Sequence, residues 1–158
     1  MTLDFETWLA VQALMADYSA ALDNAELARW PDFFTEDAVY KLQSRENFDR
    51  GLPLSTLAFE SRAMLQDRVY AAADTIFHDP YYQRHIVSVP RVLAIDDAGI
   101  RCDTNYVVLR TKPDAMPEVL SVGRYLDHIV RTESGLRFAQ RLAIFDNDLV
   151  ANSLIYPV

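Results

Sequence analysis

The 158-residue sequence predicts an α+β protein, on three observations. The front half carries apolar residues at helical spacing, the back half alternates with period two over unusually long stretches, and the turn sequences Asp96-Asp97-Ala98-Gly99 and Thr132-Glu133-Ser134-Gly135 separate those stretches. Three helices followed by four long antiparallel strands fit a sheet that curls around the helices, because strands well beyond the usual ~5–6 residues must bend and twist. The predicted shape is a half-open cone, a single domain over residues 1–158, with a pocket at its mouth.

Each element has a local reason. Asp4 is placed to cap a first helix whose apolar stripe is Phe5, Trp8, Leu9, Met15, Tyr18 and Leu22, widened by Val11 and Leu14. Asn24 is placed to cap a second, short helix through Trp30, which Pro31 stops. A strand is expected at 38–42, a polar loop at 43–54, and a third helix from Ser55 or Thr56 along Leu57, Ser61, Met64, Leu65, Val69, Ala72 and Ile76. Pro80 ends that region, since it disfavours helical geometry at Asp79. Val87, Val89, Leu93 and Ile95 share one strand face, with Pro90 on the opposite parity marking an edge or a bulge. Strands follow at about 100–110, 119–131 and 136–145, the last with Leu136, Phe138, Leu142 and Ile144 on one face.

Composition narrows the function. Hydrophobic residues make up 51% and the formal net charge is −8, which disfavours nucleic acid and anionic membrane as partners. The N-terminus has no basic, apolar leader pattern and there is no apolar run of membrane-spanning length, so residence in the cytoplasm is expected. Cys102 is the one cysteine, and the histidines are His78, His85 and His128, so an iron–sulfur centre has no ligand set on this chain. The glycines do not fall at the spacing of a phosphate-binding loop.

Two groups of residues remain as candidates. His85, Asp23, Tyr40 and Asp127 are the groups with which a stand-alone cone-fold lyase or isomerase would move a proton next to a carbonyl. Structural duties compete with that role: a hydrogen-bonded histidine for His85, and capping and turns for Asp23 and Asp37. Asp127 and His128 are adjacent on a strand and point to opposite faces, so they do not pair. The second group is an association surface. Lys41 and Lys112 are the only lysines while arginine supplies thirteen cations, and arginine and tyrosine are enriched at hot spots. Tyr70, Phe77, Tyr81, Tyr82, Arg84, Arg124, Arg141 and Tyr156 are the interface candidates, and the nearly uncharged segment 149–158 must be buried somewhere. Arg124, Arg141, Asp127 and Tyr106 build a polar pocket if they face inward and an interface or solvated surface if they face outward.

Three stretches carry a resemblance to a known family: Trp30-Pro31-Asp32-Phe33-Phe34 leading to Asp37 and Tyr40, Met64-Leu65-Gln66-Asp67-Arg68-Val69, and Tyr82-Gln83-Arg84-His85-Ile86-Val87-Ser88. With the strand from Arg141 to Asp146, they make the chain resemble the small (beta) subunits of Rieske-type aromatic-ring-hydroxylating dioxygenases over nearly its whole length. Those subunits have the cone fold of nuclear transport factor 2 and scytalone dehydratase. The stretches 40–54 and His78-Asp79-Pro80-Tyr81-Tyr82 look like the salicylate 5-hydroxylase and terephthalate dioxygenase branch. The resemblance implies a mainly structural subunit with no cofactor of its own, in a complex that breaks down aromatic carboxylic acids. The partner alpha subunit would carry the Rieske [2Fe-2S] cluster and the mononuclear iron, in a hexamer of three alpha and three beta chains fed by a reductase or ferredoxin. The sheet's outer face would build the contact between small subunits. A stand-alone lyase and a module that sequesters an aromatic acid are the competing readings.

Overall fold

The computed structural model describes residues 4–75, 80–147 and 154–158. Helix α1 (Phe5–Asp23) starts where Asp4 accepts a hydrogen bond from the Thr7 amide at 2.8 Å, satisfying one of the free amides of a first turn. Its buried stripe is Val11, Leu14, Met15, Tyr18 and Leu22. Phe5 and Leu9, expected in the stripe, face solvent, and Phe5 stacks on Trp8.

Asn24 terminates α1 rather than starting the next helix. The Glu26 amide reaches back to the Ala21 carbonyl and the Ala25 amide to Leu22, with Ala25 in the left-handed region at φ 58°. A 3-10 helix (Leu27–Phe33) follows, and it runs through Pro31. The buried Pro31 is tolerated because so short a helix asks for few amide donors.

Strand β1 (Phe34–Ser44) is longer than expected and leads into a short helix, α2 (Arg45–Asp49), within the predicted loop. Strand β2 (Leu57–Phe59) replaces the start of the predicted third helix, because β1 offers its free edge at Tyr40–Leu42. Helix α3 (Arg62–Tyr70) begins one turn later, with Ser61 accepting from the Met64 amide, and continues as a π-helical turn (Ala71–Thr75).

The remaining strands are β3 (Tyr82–Val87), β4 (Arg91–Asp96), β5 (Gly99–Thr111), β6 (Glu118–Thr132) and β7 (Gly135–Phe145). The sheet order is β2-β1-β7-β6-β5-β3, with β4 also pairing with β5. The sheet is mixed rather than wholly antiparallel: β1 runs parallel to β7, as the crossover through the whole back half allows. Pro90 divides the expected strand into β3 and β4, and a register shift between Val92 and Ala94 follows. That break sends Val89 and Leu93 outward and turns Val92 and Ile95 toward the core, which undoes the single face read from alternation.

Two glycines permit close packing. Gly99 has φ +133° at the β4–β5 turn, and a Cβ there would sit 2.4 Å from the Ile129 carbonyl oxygen. Gly123 lies in β6 where a Cβ would come within 1.9 Å of the Ile144 carbonyl oxygen of β7. Within the sheet's concave face, Trp30, Tyr18, Tyr40, Phe34 and Phe138 pack edge to face with α1 above them.

Candidate functional site

The cone interior is where related folds could hold a substrate, and here side chains fill it. β7 brings Arg141 to its centre. The Asp127–Arg141 register crosses β6 and β7 just after a bulge between His128 and Ile129, and that bulge reverses the parity of the strand. Leu142, expected inside, turns away, and Arg141 is 1% exposed. Arg141 is therefore no interface residue: its guanidinium lies inside the protein. It donates through Nε and Nη2 to the two Asp127 oxygens at 2.8 and 2.9 Å. Its Cζ lies 4.2 Å from the Tyr18 ring centre, 4.2 Å from Tyr125 and 3.9 Å from Phe138. Burial opposes the charge on both partners. On Arg141 the Asp127 carboxylate outweighs burial and holds the proton more firmly than usual; on Asp127 burial pushes the carboxyl up while Arg141 pulls it down.

The chain's last residues complete the filling. The Tyr18 and Tyr40 hydroxyls donate to the Val158 main-chain oxygen at 3.1 and 3.0 Å, the Val158 amide donates to the Tyr40 hydroxyl, and Trp30 Nε1 donates to the Tyr18 hydroxyl. Burial pushes the hydroxyls of Tyr40 and Tyr125 well above the ordinary tyrosine range. Arg68 reaches the carbonyls of Leu154 and Ile155, which fastens the segment to α3. The apolar tail is thus buried in its own cone at residues 154–158; its earlier part, 149–153, lies outside the described residues.

The second constellation joins α1 to β3. Asp23, the last residue of α1, accepts from the His85 amide at 3.0 Å and from His85 Nδ1 at 2.6 Å, and the Arg84 guanidinium lies 3.7 Å away. With a carboxylate as partner, Nδ1 carries a hydrogen, and the buried Nε2 has no hydrogen-bond partner among the described residues. Such a pair has the composition of an acid–base dyad. Asp23 lines a cavity of about 280 Å³ between the end of α1 and the start of β3; His85 is not in its wall.

The four candidate proton-transfer residues thus separate. Asp23 and His85 bind each other, Tyr40 binds Val158, and Asp127 binds Arg141. Of the interface candidates, Tyr70, Tyr82 and Arg84 are exposed, with Tyr82 at 77%. Arg124 is half-buried beside Asp103 and over the Phe48 ring. Tyr81 and Tyr156 pack ring to ring at 5.0 Å, with Arg110 over Tyr81. Phe77 and His78 lie outside the described residues. His128 faces away from Asp127 and contacts the Ala98 carbonyl at 2.7 Å. Reading by residue type missed an apolar stripe on the convex face. Ile86 aligns with Val107 and Val122 across β3, β5 and β6, with exposed Val119 beside them opposite Leu109; exposed Leu93 lies further along β5, beyond Asn105 and Asp103. Valine and isoleucine on both parities of β5 and β6 were its signal.

Fold and filling define the class: a helix-covered curved sheet of the SnoaL-like kind, whose family description matches residues 4–142. The chain is 35% identical to the anthranilate 1,2-dioxygenase small subunit of Burkholderia cepacia, over 100% of this chain and 98% of that one. It is 28% identical to a beta subunit of the terminal oxygenase component of terephthalate 1,2-dioxygenase from Comamonas, over 95% of this chain and 97% of the other. The crystal structure of a beta subunit assigned to an aromatic-ring-hydroxylating dioxygenase of Novosphingobium aromaticivorans superposes with a TM-score of 0.88 at 28% identity, covering 96% and 97% of the two chains. The chain belongs to the SnoaL-like domain family and, within it, to the family of small subunits of aromatic-ring dioxygenases.

Proposed function

We infer that this chain is the small, non-catalytic subunit of a ring-hydroxylating dioxygenase that acts on an aromatic carboxylic acid. The observation that carries the reading is end-to-end similarity to the anthranilate dioxygenase small subunit. Anthranilate and terephthalate are both aromatic carboxylates, which supports that substrate class. The packed cone supports a structural role: Tyr18, Tyr40, Arg141 and Val158 bind one another inside it, and of the Asp23–His85 pair only Asp23 lines the neighbouring cavity.

Iron chemistry in this reading belongs to the large subunit. The residues of this chain do not fit a Rieske centre, which takes four Cys or two Cys and two His, because Cys102 is its one cysteine. Among the described residues no three His, Cys, Asp or Glu side chains converge on a metal-sized site. What this chain supplies is a rigid body with a patterned surface. The convex patch around Ile86, Val107, Val122 and Val119, with exposed Tyr82 and Arg84, is apolar with a polar margin, as association surfaces are. We assign it to the contact between small subunits in an α3β3 assembly and to support of the large subunit, with electrons arriving from a separate reductase or ferredoxin. The absence of a helix long and apolar enough to cross a membrane, among the described residues, accords with a complex working in the cytoplasm.

Co-expression with the large subunit tests the reading. The two chains are expected to co-purify at equal stoichiometry, and hydroxylation of an aromatic carboxylate is expected to need both. A large subunit fully active and assembled without this chain overturns the proposal, and so does turnover of a carbonyl substrate by this chain alone that His85→Ala abolishes.

A further inference from the structure

Helix α1 is apolar on its outer side as well as its inner one. At 3.6 residues per turn, Phe5, Leu9, Ala13, Ala16 and Ala20 share one arc of about 80°. That arc lies opposite the buried one of Val11, Leu14, Tyr18 and Leu22. All five of its residues are exposed, Phe5 at 75% and Leu9 at 52%. A surface helix ordinarily carries charged and polar residues on this side, and a helix that is apolar all round is one that is covered all round. Helical geometry does not require the stripe, because Glu, Gln, Lys and Arg hold a helix nearly as well as alanine does.

Charge decides what fits there. α1 contains no lysine, arginine or histidine. The exposed charges within it are Glu6 and Asp17, which lie together on one margin of the stripe, and neither forms an ion pair among the described residues. A second copy of the chain fits poorly. Antiparallel α1 helices related by a two-fold axis bring both copies' Glu6 and Asp17 to the same margin, parallel ones set like helix ends side by side, and each chain carries a net −8. An anionic membrane meets the same repulsion. The complementary surface is a different chain, apolar, with lysine or arginine along one edge. Ala13, Ala16 and Ala20 keep the helix low, so bulky side chains of that chain can approach its backbone closely.

We propose that the outer face of α1, from Phe5 to Ala20, is a seat for the large subunit, which lays bulky apolar side chains over Leu9, Ala13 and Ala16 and sets a lysine or arginine beside Glu6 or Asp17. The proposal rests on the small-subunit reading and deepens it by naming the surface that meets the large subunit. α1 covers the concave side of the sheet and the Ile86 patch lies on the convex side, so one chain can hold both contacts at once.

Co-expression of full-length variants with a tagged large subunit tests it, read as the ratio of small to large chain recovered. Leu9→Arg and Ala16→Arg keep a good helix former at an exposed position and are expected to lower the ratio at least about tenfold. Asp17→Arg is expected to weaken association at low salt and to flatten its salt dependence, and it decides the matter if the other two fail to fold. The oligomeric state and unfolding midpoint of the small chain alone are expected to stay as in the wild type in all three. Wild-type ratios in the folded variants overturn the proposal. Loss of self-association by the small chain overturns it in favour of a second copy as occupant. A midpoint lowered by more than about 4 °C with the ratio intact overturns it in favour of the chain's own packing. A wild-type pair that never co-purifies sinks the small-subunit reading as well, whereas wild-type co-purification with unaffected variants sinks this proposal alone.

Discussion

The two faces of the same sheet have been put to opposite uses. The concave face buries charge and aromatic hydroxyls: Asp127, Arg141, Tyr18, Tyr40 and Tyr125 all lie there, and most of their polar atoms are paired with one another or with Val158. The convex face holds Ile86, Val89, Leu93 and Val119 in the open. A protein that kept its cone for a substrate would show the reverse, an accessible polar interior and a plain outside. The arrangement here is that of a body packed within and apolar on part of its outer face, as the proposed subunit role requires.

The largest effect that can sharpen this contrast comes from the interior pair. Asp127→Ala leaves the Arg141 guanidinium buried without its carboxylate, and a loss of about 3–5 kcal/mol in denaturant unfolding is expected. The double variant Asp127→Leu with Arg141→Met is expected to recover most of it, because apolar residues of similar size remove both desolvation costs. A double variant as unstable as the single one would mean that the pair sets the packing and does not merely compensate itself.

On the convex face the expectation is inverted. Ile86→Asp or Val119→Asp should change the unfolding free energy of the free chain by less than about 0.5 kcal/mol and yet weaken assembly by about 2 kcal/mol or more, read as lost co-elution with the large subunit. Normal assembly of both variants would move the working surface elsewhere, first to Tyr82 and Arg84.

At the seam between the faces, Gly123→Ala pushes a methyl into the β7 backbone at Ile144 and is expected to cost about 1–3 kcal/mol, with faster amide exchange at Arg124 and Ile144. A smaller effect of opposite sign is expected at Ala25. Glycine there relieves a left-handed residue, so Ala25→Gly should stabilise the chain by up to about 1 kcal/mol in thermal or urea unfolding.

The smallest effect belongs to Cys102. Burial, reinforced by Asp127 and opposed by Arg141, raises its thiol from 9.0 to about 12. A folded-state value above the unfolded one favours the neutral thiol, so this contribution is intact below pH 9 and fades as pH climbs from 9 toward 12. Native protein should resist alkylation at pH 8.5 and react only on unfolding.

Much of this architecture is legible in the chain. The cap at Asp4, the turns at Gly99 and Gly135 and the long alternating stretches of β5 to β7 follow from local chemistry, and each lies where local chemistry places it. The failures share a cause. The helix expected from Ser55 gave way to β2 because an unpaired edge of β1, fifteen residues away, outbid local propensity. The faces assigned to Leu93 and Leu142 reversed because bulges at Val92/Ala94 and His128/Ile129 shift parity by one, and period-two reading counts residues without seeing bulges.

The candidate site divides along the same line. His85 and Asp23 stand out by residue type, but their pairing joins positions 62 residues apart and is visible only in the folded chain. The facing of Arg141 is open to local rules, which allow a pocket wall, an interface or a solvated surface, and only the closed sheet makes it the core's cation. By itself the sequence determined the class of fold, the lack of cluster ligands and the supply of arginine and tyrosine, since composition and period depend on near neighbours alone. Tertiary structure decided which side each residue serves, because facing is set by registers and bulges between strands that meet only once the cone has closed.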